Sequence, residues 1–233
     1  MPGKKQEPTR VLVIAAHPDD PEYGCAGTVA KWASAGMEVS YLLLTSGDKG
    51  SKDPEVRPGA LATLREKEQR SAAAVLGVKE VLFQRHPDGL LENSLALRRE
   101  IVGIIRRLRP NRVLAIDPWK RYQTHPDHRA SGMAAMDAVY AAKQVYLFPE
   151  QLMDGVEPWR VKEVYLFWAE EPDHWEDVSE TVGLRIAALR RHASQVAARR
   201  QGLAARVRDG ARKTAEKSGT GCAYAEGFKL LRF

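Results

Sequence analysis

Short apolar runs alternate with longer stretches of helical periodicity along most of this chain. Val11–Ala16, Val39–Leu44, Val81–Phe83, Val113–Ile116 and Val164–Trp168 are strand-like, and most are continuously apolar rather than alternating. Continuous runs mark strands covered on both faces, as in a parallel sheet. Between them, Gly27–Ala35, Ala60–Leu76, Leu95–Leu108 and Arg129–Lys143 carry helical patterns. This βαβα order predicts a doubly wound α/β fold: a Rossmann-like, three-layer α/β/α arrangement around a mostly parallel sheet. A last helix is expected from near Thr181, because Val182, Ile186, Leu189, Ala193 and Val196 recur at steps of four and three. Gly219, Gly221 and the tail Tyr224 to Phe233 read as a turn and a closing segment, and Asp48 to Pro58 as a mobile loop near the strand ends. No repeat, low-complexity tract or composition shift divides the chain, so one domain over residues 1–233 is expected.

Composition narrows the class without naming it. The chain has 233 residues, 44% hydrophobic and 28% charged. It has no apolar run of about 18 residues that could span a membrane, and its polar first ten residues lack the apolar core of a secretory signal. Two cysteines, Cys25 and Cys222, make no disulfide framework, so a reducing cytoplasm is expected. The net charge of +6 is local: nine basic and two acidic side chains fall between Arg190 and Lys217. No nucleic-acid reader motif accompanies them, so they read as a solvated helix face and no nucleic-acid partner is expected.

Chemistry concentrates in two clusters, each just past an apolar run: His17-Pro18-Asp19-Asp20 after Val11–Ala16, and His125-Pro126-Asp127-His128 after Val113–Ile116. In open parallel sheets ligands bind beyond the carboxyl ends of the strands, at a topological switch point, so the clusters are predicted to converge. His17, Asp20 and His128 make two imidazoles and one carboxylate with a position left for water, the ligand count of a catalytic zinc site. Asp19, beside them, suits a general base for the activated water. His125 is left free to face a substrate oxygen, with Asp127 accepting its proton and holding the ring oriented and cationic. The rival reading is that each His-Pro-Asp merely caps a helix. Two matching strand ends would make that a double coincidence.

Ala16-His17-Pro18-Asp19-Asp20, followed by Glu22, Gly24, Gly27 and Thr28, resembles the signature of the PIG-L or LmbE-like zinc-dependent deacetylases, and His125-Pro126-Asp127-His128 is similar to their second motif. The resemblance runs from Arg10 to Phe233. It implies removal of an N-acetyl group from a small N-acetylglucosamine conjugate, with His17, Asp20 and His128 holding Zn2+ (or Fe2+), Asp19 activating water, and His125, oriented by Asp127, stabilising the oxyanion or protonating the leaving amine. Pro21 stands where many members have Glu, and Glu22 follows one position later, as in the bacillithiol-type branch. That branch implies a homo-oligomer.

A second tier of residues carries alternatives. Arg65, with Glu68, matches an Arg-x-x-Glu element whose arginine lies near the sugar; a structural ion pair is the other reading. Asp88, in His86-Pro87-Asp88-Gly89, could touch a sugar hydroxyl or simply make a turn. His192 resembles a family element near the pocket, yet borders an apolar stripe and reads rather as a satisfied core histidine. Glu226, in Tyr224-Ala225-Glu226-Gly227-Phe228, is expected to support a wall of the site. Gly24 and Gly27 are expected to allow close packing of the first helix, and Cys25 to be packing rather than nucleophile. Two other functions stand beside deacetylation: a non-catalytic sugar- or nucleotide-binding protein that keeps the metal, and a metal-dependent hydrolase of another bond.

Overall fold

The apolar runs form the centre of a seven-stranded sheet ordered β3-β2-β1-β4-β5-β7-β6. In chain order the strands are β1 (Arg10–Ala15), β2 (Glu38–Thr45), β3 (Glu80–His86), β4 (Arg112–Ile116), β5 (Glu163–Phe167), β6 (His174–Asp177) and β7 (Ala225–Arg232). The structure is a computed structural model that describes residues 8–153, 155–197 and 201–233. Arg199 and Arg200 of the basic stretch lie outside these. β1 to β5 run parallel, whereas β7 pairs antiparallel with both β5 and β6. Leu12, Ile14, Leu42, Leu114 and Leu166 are fully buried, as continuous apolar runs require of strands covered on both faces.

The helices are α1 (Asp20–Gly24), α2 (Ala26–Ser34), α3 (Pro58–Val75), α4 (Leu95–Leu108), α5 (Pro126–Ala142), α6 (Val182–Leu189), α7 (Ala193–Val196) and α8 (Leu203–Ser218). α4 and α5 pack together as one layer, while α6 touches α2, α3 and α8 to build the other. Right-handed crossovers explain the division. β1 to β2 to β3 proceeds one way across the sheet, β4 and β5 the other, and each direction sends its helices to one face. The order reverses between β1 and β4, which are hydrogen-bonded neighbours. The two chemical clusters follow these two strands.

Three expectations change. The helix predicted through Val196 breaks at Arg190–His192, because Leu189 and Val196 enter the same apolar cluster while His192 turns inward. β6 carries no apolar run and escaped notice. The closing segment is a full strand, β7. Close packing of the first helical segments does hold: a Cβ on Gly24 would stand 2.3 Å from the Phe167 ring, and one on Gly27 2.8 Å from Val178. Among the described residues no helix is long and apolar enough to cross a membrane.

Candidate active site

Beyond Ala15 the chain leaves the sheet in a tight turn fixed by its own carboxylate. Asp20 Oδ2 accepts the His17 backbone N–H at 2.8 Å and lies 3.3 Å from His17 Nδ1. Its other oxygen reaches His128 Nε2, also at 3.3 Å. One buried carboxylate thus bridges the imidazoles of the two remote clusters, as the convergence argument required. The His17, His125 and His128 rings are mutual neighbours, with centroids 4.7, 5.3 and 4.4 Å apart.

Helix capping, the rival reading, fails at both clusters. Asp19 occupies the N-cap of α1 and His125 that of α5, but neither side chain makes a capping bond. Asp127 lies inside the first turn of α5, where it accepts from the Gly89 and Leu91 backbone N–H groups at 2.7 and 3.2 Å and from His17 Nε2 at 3.1 Å. This corrects the expectation for His125. Asp127 orients His17 rather than His125, whose Nδ1 finds no partner. Nor is His125 cationic: partial desolvation, with His17 and His128 beside it, lowers its pKa.

Asp88 also enters the site. The turn at Gly89, with φ +76°, places it there. Asp88 Oδ1 lies 3.1 Å from His17 Nε2, and Oδ2 accepts the Lys49 N–H at 2.9 Å. The geometry therefore makes Asp88 a partner of His17. Burial by itself would raise its carboxyl, but His17 and the Lys49 N–H outweigh that and bring it to about 2. Burial alone would likewise lower His17, yet Asp20, Asp127 and Asp88 together push it up to about 12. Three carboxylates converge on this one ring, so the cluster demands positive charge at its centre. The His17/His125/His128 set and the His17/Asp88/Asp127 set each present ligand atoms within 4.8 Å of one another. Mixed imidazole and carboxylate donors suit a divalent ion of the zinc or ferrous type.

Asp19 is held apart from its neighbours by its backbone. Its φ of +89° is the left-handed region that non-glycine residues rarely occupy, a strain that surrounding bonds must hold. Gln69 Oε1, from α3, accepts the Asp19 N–H at 2.9 Å. Arg65 Nη2 donates to the Pro18 carbonyl at 2.6 Å and lies 3.4 Å from Asp19 Oδ1, while Nη1 donates to the Gly47 carbonyl at 2.9 Å. Burial, aided by Asp20 and Glu22, outweighs Arg65 and His192 and raises the Asp19 carboxyl to about 7.

Arg65 is buried and not paired with Glu68: it ties the Pro18 and Gly47 carbonyls together beside Asp19. Glu68 instead accepts from the backbone and hydroxyl of Ser194 at the start of α7. His192 is fully buried and its Nε2 lies 3.1 Å from Glu22 Oε2, as a satisfied core histidine would be. Glu22 Oε1 accepts from Gln69 Nε2 at 2.9 Å, completing a buried chain from α7 to Asp19. Sequence reasoning missed Gln69; its position four residues after Arg65 on the same helix face was the available signal. Glu226 meets the first helices rather than the imidazole and carboxylate cluster: its carboxylate accepts the Gly27 and Thr28 N–H groups at 2.9 and 2.8 Å and pairs with Arg185, capping α2 from a distant strand. Cys25 is fully buried, which pushes its thiol well up, and it is packing.

The comparisons with known proteins follow the same residues. The family model described as PIG-L, GlcNAc-PI de-N-acetylase, matches residues 12–139. Diacetylchitobiose deacetylase of Thermococcus kodakarensis is 37% identical over 186 residues, which covers 80% of this chain and 70% of that protein. A probable N-acetyl-alpha-D-glucosaminyl L-malate deacetylase 2 of Bacillus anthracis is 30% identical, covering 88% of this chain and 90% of that one. The solved N,N'-diacetylchitobiose deacetylase of Pyrococcus horikoshii superposes with a TM-score of 0.91 at 31% identity, covering 96% of this chain and 84% of that chain. A 4-carboxy-2-hydroxymuconate hydratase from Pseudomonas putida, at 22% identity and a TM-score of 0.80 (96% of each chain covered), shares the fold alone. With both clusters joined through Asp20 and the family model spanning more than half its length, the chain belongs to the PIG-L family and is an enzyme of the N-deacetylase class, acting on amide bonds.

Proposed function

We propose that this enzyme removes the acetyl group from a small N-acetylglucosamine conjugate, using a divalent ion, Zn2+ or Fe2+, held by His17, Asp20 and His128. The observation that carries the reading is the Asp20 bridge between imidazoles of two clusters, with a strained, half-buried Asp19 beside it. The names of the relatives support the amino-sugar substrate. When bound, the ion supplies Lewis acidity to a water and to the acetyl carbonyl.

The chain's own residues do the rest. Asp19 accepts the proton of the attacking water, and its raised pKa suits it to that exchange near neutrality. Arg65 and Gln69 keep it from swinging into the carboxylate cluster. His125, held neutral, donates its ring N–H to the acetyl oxygen as charge develops there, a contact whose loss costs about 3–4 kcal/mol. A neutral imidazole has no surplus proton, so Asp19 returns the one it took to the departing nitrogen. Acetate and the free amine leave. We also propose a homo-oligomer and a reducing compartment, the latter from two free cysteines.

The test is acetate release from N-acetylglucosamine and N,N'-diacetylchitobiose, before and after treatment with dipicolinate, with elemental analysis of the purified protein. Release that stops with chelator and returns with Zn2+ or Fe2+ is expected. Release indifferent to chelator would remove the metal from the reading, and none from any acetylated amino sugar would remove the substrate class.

A further inference from the structure

We infer that a cavity between α8 and the start of β7 is a subsite for the substrate beyond its N-acetylglucosamine ring, and that it selects an anionic group. The inference rests on the deacetylase reading above. The cavity has a volume of ≈ 590 Å3, and Trp168, Trp175, Arg206, Gly210, Thr214 and Lys217 are among its walls. That volume is within the range of about 300–1,000 Å3 typical of small-ligand pockets. Trp168 belongs to both places: it lines the cavity, and its ring centroid lies 5.2 Å from that of His128. Trp168 is thus the wall shared by His128 and the cavity, so a conjugate whose acetamido group meets His125 and His128 would reach the cavity by passing Trp168.

The charge of the basic segment acquires a direction here. On α8, Leu203, Val207, Ala211 and Ala215 form the buried stripe. Arg206, Gly210, Thr214 and Lys217, at steps of four, four and three, form the adjoining stripe on the cavity wall. Two of the outer cations are neutralised at the surface, with Arg212 and Lys213 paired to Asp209 and Arg212 also to Glu216. Lys217 has no carboxylate within ion-pair distance among the described residues. The acids of the cavity wall are committed elsewhere: Glu226 to the α2 amides and Arg185, Glu170 to Arg121. Beside aliphatic side chains such as Leu203, Val207 and Pro172, the space is faced by two tryptophans and the charge of Lys217, which suits a carboxylate- or phosphate-bearing aglycone.

Gly210 offers a clean way to fill the cavity. A Cβ there meets nothing within 4 Å, and replacing a helix-interior glycine favours the helix. Kinetics of Gly210→Leu and Lys217→Gln are compared with the parent on four substrates: N-acetylglucosamine, N,N'-diacetylchitobiose, the malate N-acetylglucosaminide and N-acetylglucosamine 1-phosphate. Lys217→Gln should raise KM about tenfold for the acidic conjugates and leave kcat and the neutral disaccharide unchanged. Gly210→Leu should raise KM for both the disaccharide and the malate conjugate, with the monosaccharide as the internal reference. The malate and phosphate arms tell a carboxylate from a phosphate. Unchanged KM for acidic conjugates in both variants, or equal damage to the monosaccharide by Gly210→Leu, overturns the subsite. Calorimetric binding of the amine product, glucosaminyl malate, reads the cavity without turnover. Binding weakened in both variants while no substrate releases acetate would sink the deacetylase reading and keep the subsite. Binding equal in all three proteins would sink the subsite.

Discussion

The two His-Pro-Asp stretches have identical letters and opposite fates. In the first, the imidazole is the buried, carboxylate-ringed member, with His17 pushed up to about 12, while the following aspartate, Asp19, is the strained group raised to about 7. In the second, the aspartate is buried: Asp127 is fully inaccessible, held by two amides and His17, and kept below the usual carboxylate range. There the imidazole, His125, faces the site with its pKa lowered. Each tripeptide thus gives one anchored group and one available for chemistry, in reversed order. The difference lies in the backbone. Asp19 precedes α1 in the left-handed region, whereas His125 precedes α5 in an extended one and carries Asp127 into the helix.

That contrast can be broken in stages. The largest effect is expected at the base: Asp19→Asn should cost about 10²–10⁴-fold in kcat with metal still bound, read by single-substrate kinetics beside elemental analysis. His17→Ala should lose the ion, whereas His125→Ala should keep it and lose about 10²–10³-fold in kcat. The two proteins having equal metal content would dissolve the distinction between anchor and reactive imidazole. Asp127→Asn should weaken metal affinity about 10–100-fold, because it loosens His17, and added metal should restore most turnover. A loss that no metal concentration repairs would return Asp127 to chemistry on the substrate.

The smallest effect concerns capping, which neither aspartate performs for its own helix. Glu226→Gln should destabilise the fold by about 1–3 kcal/mol in urea denaturation, since it weakens charge-assisted bonds to two α2 amides. Metal content should not change.

Five strands and four helices were legible because burial on both faces leaves continuous apolar runs and helices leave a 3.6-residue period. β6 left none, since His174, Trp175 and Glu176 are only half-buried at the sheet edge. The break before α7 was hidden because His192 interrupts the helix without interrupting the apolar spacing on either side. The convergence of the two clusters was readable from their place just past two apolar runs. The partners were not. Asp127 meets His17 across 110 residues, and Glu226 meets α2 across 198, separations over which one chain's letters carry no pairwise signal.

The sequence by itself determined which groups could do chemistry and at which strand ends they stand, because apolar patterning and strand order are local and cumulative. Only the tertiary structure decided that Asp127 braces His17 rather than His125, and that Arg65 and His192 stand beside Asp19 and Glu22. Those outcomes follow from burial and from charges brought within about 3 Å by remote segments, and electrostatic free energy depends on that separation and surrounding solvent, not on position along the chain.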